Sequence, residues 1–176
     1  MNRRARRTIL GGTLAIAAAA AINGFDRPAT PAPESHVATL AVTDFADDRK
    51  LVGFADDVFV GKVVGERGTT QVESLLETQF DVQVVRPIKG TLEGTIVVSQ
   101  EGGVDEKGVT VTVDGDEPLA VGQTYVFASR TNPNTGWHTL VPAYGTVRVD
   151  ADRTRTRLVD RFEAAEAAQV PYTPNS

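Results

Sequence analysis

Cysteine is absent from the chain of 176 residues. That excludes a disulfide scaffold, thiolate zinc sites, iron–sulfur clusters, a thiol nucleophile and a lipidated cysteine. Positive charge is scarce outside the N-terminus, because four of the 18 Lys+Arg are Arg3, Arg4, Arg6 and Arg7. From Asp26 onward, 14 basic side chains face 23 acidic ones. Nucleic acid and anionic membrane surfaces are therefore not expected partners, since phosphate binding needs a basic face. Aromatics are 6% and hydrophobic residues 41% of the chain, enough for one ordinary core and too little for a membrane bundle. No second long hydrophobic run follows the first 25 residues, and no internal repeat is evident.

What the N-terminus holds reads as an export signal. Asn2-Arg3-Arg4-Ala5-Arg6-Arg7 precedes the uncharged stretch Thr8 to Phe25. Within it, Arg6-Arg7-Thr8-Ile9-Leu10 fits the twin-arginine pattern, and small-residue cleavage sites lie among Ala17 to Ala21. The expectation is a secreted or envelope protein, with 1–25 removed. A retained anchor is the competing reading, and its 18 uncharged residues fall a little short of the roughly 20 that a spanning helix needs. Residues 26–41 begin with three prolines in ten positions (Pro28, Pro31, Pro33), which predicts an extended, mobile linker without a ladder. One domain over 42–170 and a tail over 171–176 complete the expected layout.

Thr43 to Ala55 has helical spacing, with Phe45, Val52 and Ala55 on one face and Thr43 or Asp44 as cap. Short β-rich runs follow at intervals of about ten residues: 57–64, 78–85 (ended by Pro87 and Lys89-Gly90), 95–100 (stopped by Gly102-Gly103), 109–113, 123–129, 137–141 and 145–149. Arg157 to Ala168 places Leu158, Phe162, Ala165 and Ala168 on one helical face. No helix-sized segment separates consecutive strands, which disfavours parallel βαβ architecture. A mainly all-β domain with two flanking short helices remains, as a small antiparallel barrel or sandwich. Gly61, interrupting the first run, favours the curl of a barrel.

The strands also carry a family pattern. Phe54-Ala55-Asp56-Asp57-Val58-Phe59-Val60-Gly61-Lys62-Val63 resembles the opening of the TIMP-like (netrin-like) OB-fold proteins that bacteria export. Phe80-Asp81-Val82-Gln83-Val84-Val85-Arg86-Pro87-Ile88-Lys89-Gly90, Gln100-Glu101-Gly102-Gly103 and Leu119 to Phe127 resemble its later strands. The likeness extends from Phe54 to Val149, about 95 residues. It implies an OB-like Greek-key barrel and a non-enzymatic binding module, inhibitor-like, recognising a protein or glycan in the envelope or outside the cell. Animal members of the family place an N-terminal cysteine on a protease zinc. With no cysteine and a prolyl linker before the barrel, that chemistry and its residues do not carry over.

Trp137, His138 and Tyr144 form a candidate ligand surface, on the loops that OB barrels use for recognition. His138 with a carboxylate would serve the alternative of a small secreted hydrolase; Ser99 and Ser129 are strand residues, and no Gly-x-Ser-x-Gly elbow occurs. A third alternative is a membrane-anchored structural envelope protein. Asp114-Gly115-Asp116-Glu117 partly suits calcium but lacks the spaced oxygen ladder and is expected to be a solvated hairpin tip. Arg148, Arg153, Arg155, Arg157 and Arg161 alternate with Asp150, Asp152 and Asp160, as on a solvated face. No catalytic residue, metal or cofactor is assigned.

Overall fold

The computed structural model describes residues 34–37, 45–72 and 74–173. The chain divides into a unit of residues 1–31 and a unit of residues 32–176, and every described residue belongs to the second. The expected export segment, the prolines before Glu34 and the expected Thr43 or Asp44 cap lie outside the described residues. The elements are β1 (Glu34–Val37), α1 (Asp48–Phe54), β2 (Asp57–Val72), β3 (Leu75–Lys89), β4 (Thr95–Val104), β5 (Thr110–Val113), β6 (Thr124–Thr131), β7 (His138–Leu140), β8 (Thr146–Arg148) and α2 (Asp152–Ala167).

Five strands close a ring. β2 pairs antiparallel with β3 and β6, β3 with β4, and β6 with β7. A short parallel pairing, Val98↔His138 and Ser99↔Thr139, joins β4 to β7 and completes the circuit. That connectivity is the OB-like Greek-key barrel. β8 adds to β6 outside the ring, and β1 and β5 extend from the end of β4.

Alternation builds two cores on the two sides of the same wall. Phe59, Phe80, Val82, Val98, Phe127 and Leu140 point into the barrel, where Phe59 and Phe127 stack with centroids 5.1 Å apart. Val58, Val60, Val126 and Ala128 face outward and are covered by Leu51 and Val52 of α1 and Leu158, Val159 and Phe162 of α2. β2 and β6 are therefore buried on both faces, which is why their sequences read as continuous apolar runs rather than clean alternation. Gly61 sits at a register shift between Val60 and Gly61. A Cβ there would meet Val82 Cγ1 at 2.6 Å and the rings of Phe59 and Phe127 at 3.0 Å. The interior is filled to the backbone at this point.

Several boundaries differ from expectation for identifiable reasons. α1 is shorter and is capped by Asp47, whose carboxylate accepts from Arg49 N. β3 continues through Pro87, at a place where β4 pairing has already ended at Gln83↔Thr95 and beside a register shift with β2. A proline is tolerated at such a one-sided position. β4 continues through Gly102 and Gly103, whose φ of 104° and 143° let the strand leave the barrel ladder and pair with β5. α2 begins earlier, at Asp152, and buries Leu158, Val159, Phe162 and Ala165. The expected ladder-free linker is corrected by β1: beyond Pro33 no proline intervenes, and Glu34–Val37 pairs parallel with Thr110–Val113.

Candidate functional site

Two places gather chemistry-bearing side chains. The first is one end of the barrel, where β2 begins and β7 begins. His138 Nδ1 lies 3.2 Å from Asp57 Oδ2, and the two residues are 8% and 7% exposed. Thr131 Oγ1 donates to the same carboxylate oxygen at 3.3 Å. The pairings Asp57↔Ser129 and Thr131↔His138 create this arrangement, bringing together residues 81 positions apart through β6. The carboxylate partner imagined for His138 thus exists. The hydroxyls are placed differently: Ser99 Oγ donates to Glu77 Oε2 at 2.6 Å, and Ser129 Oγ is fully buried with no hydrogen-bond partner.

Trp137 and Tyr144 are both half-buried, in different settings. Trp137 stands between the Thr131–Gly136 turn and β7, its N–H donating to Thr135 Oγ1 and its carbonyl accepting from Asn132 N. Tyr144 packs on the helix-side core, edge-on to Phe45 at 6.2 Å. Its aromatic ring is a wall of that core more than a loop-borne contact.

The second place is a cavity of about 120 Å³ where β4 leaves the barrel. Thr78, Phe80 and Gln100 line it together with the carboxylates of Glu66, Glu101 and Asp116; among the described residues, no lysine or arginine lines it. Gln100 fixes one rim. Its side chain donates to Glu117 O at 2.9 Å and accepts from Leu119 N at 3.0 Å, so the loop after β5 is pinned and Leu119 is held in the barrel interior. Thr78 Oγ1 fixes the other by donating to Gly102 O at 2.9 Å.

Electrostatics in the cavity are one-signed. Glu101 stands directly across the ladder from Glu77. Burial pushes the Glu101 carboxyl above the usual range, and the nearby Glu77, Asp114 and Asp116 charges add to the shift. Its Oε2 is buried without a hydrogen-bond partner. Asp116 is raised by burial as well, opposed by the bond its Oδ2 accepts from Ala143 N at 2.9 Å. The expected solvated hairpin tip is therefore half-buried at Asp114 and Asp116. Among the described residues, no group of three or more acidic or histidine side chains is placed to hold a metal ion. Carboxyls of this kind, partly desolvated beside Phe80 and Leu119, suit hydroxyl or cationic groups presented on an apolar stem.

No protein-family model matches the chain, and comparison with curated proteins finds no match.

The Glu101–Asp116 cavity has no separate signature in the sequence. Gln100-Glu101-Gly102-Gly103 reads as a strand end in the sequence, whereas Gly102 and Gly103 turn β4 out of the barrel ladder toward β5 beside the cavity. A strand sequence running into two adjacent glycines and a carboxylate is the signal that could have found it.

Proposed function

We propose that this chain is an exported, non-enzymatic OB-barrel binding module, of the TIMP-like kind, that recognises a protein or glycan outside the cytoplasm. The observation that carries the reading is the carboxylate-lined cavity beside β4 and β5, with a buried, unpartnered oxygen of Glu101 at its wall. A buried acceptor without a donor is unfavourable in the free protein and is satisfied when a ligand supplies the donor. Export through the twin-arginine route rests on Arg6-Arg7, and replacing that pair by two lysines should abolish it.

The test is capture from culture filtrate on immobilised residues 32–176, compared with the Glu101→Gln/Asp116→Asn variant. Material retained by the parent and lost from the variant supports the reading; identical profiles contradict it. The His138–Asp57 contact supports a second reading, hydrolysis, although a serine nucleophile would need access that the buried Ser129 lacks. His138→Ala separates the two, leaving capture unchanged under the first and abolishing turnover under the second. A retained anchor would instead leave residues 1–25 detectable by mass spectrometry in the membrane fraction.

A further inference from the structure

The sheet ends in a strand that is easily given up. β1 has four residues, is the last strand in the sheet order, and is held through β5 by a parallel ladder. Parallel pairs are slightly weaker per residue than antiparallel ones, and the backbone entropy lost in ordering four residues nearly offsets so short a ladder. Strands of this kind open locally without unfolding the domain. When β1 leaves, β5 presents an edge of backbone donors and acceptors, the template that extended peptides use.

Charge around that edge points to the occupant. Residues 100–120 carry six carboxylates, Glu101, Asp105, Glu106, Asp114, Asp116 and Glu117, and one lysine, Lys107. The β1 sequence, Glu-Ser-His-Val, contains no lysine or arginine. Thr110, Val111 and Thr112 of β5 also line the cavity that holds Glu101 and Asp116.

We propose that the β5 edge is a strand-addition site, covered in the free protein by Glu34–Val37, and that its partner is an extended, lysine- or arginine-bearing segment of another polypeptide. The segment replaces β1 in parallel register and directs a basic side chain toward the Glu101–Asp116 cavity. This inference rests on the binding-module reading and names the partner class of the same face.

The cysteine-free chain allows a clean test. Ser35 and Val111 are opposite one another in the β1–β5 ladder, and neighbouring strands lie at a separation a disulfide bridges. In full-length Ser35→Cys/Val111→Cys, oxidation locks β1 in place, and the reduced form of the same protein is the folding control. The probe is a fluorescent seven-residue peptide of alternating lysine and valine, read by anisotropy at fixed ionic strength. Expected are binding to the reduced protein, at least a tenfold loss on oxidation, and loss when the central valine of the peptide is proline. Glu101→Gln should weaken binding several-fold, and the peptide with glutamate in place of lysine should not bind. Equal affinity for locked and reduced protein, undiminished binding of the proline peptide, or no binding to the reduced form would each overturn the strand-addition site. Those results leave the binding-module reading to be judged by the capture experiment, which does not depend on the lock.

Discussion

Ala143 adopts φ 62°, a left-handed conformation that costs a residue with a Cβ about 1 kcal/mol. Its N–H is held there by Asp116, so the strain serves to keep the loop after Val141 against the cavity rim. Ala143→Gly is expected to raise unfolding stability by about 0.5–1 kcal/mol in urea titrations. Gly61 is the opposite case. Ala at this position drives a methyl group into Val82, Phe59 and Phe127, and a loss of about 1–3 kcal/mol is expected by the same measurement. Asp57 and His138 form a buried pair whose members depend on each other. Removing Asp57 as Asp57→Ala leaves a buried imidazole without its acceptor and should cost about 2 kcal/mol. A double-mutant cycle with His138→Ala should show coupling of about 1 kcal/mol or more. Of these three features, Gly61 was legible in the sequence because a glycine inside a β-branched run has few other uses. The Asp57–His138 contact was not, since only the ladder through β6 makes the two neighbours.

At the level of elements, the two helices act as a clamp on the outer wall of the barrel. Arg161 of α2 forms a two-pronged ion pair with Asp48 of α1, and Val170 N donates to Arg49 O. Lys89, at the end of β3, donates to Val52 O and Ala55 O and so satisfies carbonyls at the C-terminal end of α1. Lys89→Met keeps the aliphatic stem and removes the donor. It should lower the melting temperature by several degrees, corresponding to about 1–2 kcal/mol, without altering strand content in circular dichroism. The existence and order of the strands after α1 were readable from period-2 runs. Their lengths were not, because Pro87 and Gly102-Gly103 ordinarily end strands and here sit where pairing is one-sided or must bend. β1 escaped detection for a related reason. Four residues behind a prolyl stretch have no periodicity to read, and their ladder partner lies 76 positions away.

Across the whole molecule, carboxylates set how stability follows pH. Glu101 and Asp116 have folded-state values raised above the ordinary 4.5 and 3.8. The folded protein therefore holds their protons more tightly than the unfolded chain, and stability rises as pH falls from neutrality toward about 4.5. Asp47 has the opposite sign. Its bonds from the Arg49 side chain and backbone lower it from 3.8 to about 2, so its contribution is intact above 3.8 and is lost as pH falls toward 2. Thermal melts should pass through a maximum in mild acid. Glu101→Gln/Asp116→Asn should raise the melting temperature at pH 7 and flatten the acidic side of neutrality. A slope unchanged by those substitutions would remove the cavity carboxyls as its source. The acidic balance of the chain is visible in composition, but which of the 23 carboxylates come together, half-buried, at the cavity depends on where β4 leaves the barrel.

The binding account is tested most directly by amide hydrogen exchange on residues 32–176, alone and with the fraction eluted from the capture column. The account predicts slowed exchange over 99–104 and 110–118, the strands and loop around the cavity, with the barrel interior unchanged. Slowing confined to the 131–139 loop, or no slowing anywhere, would contradict it.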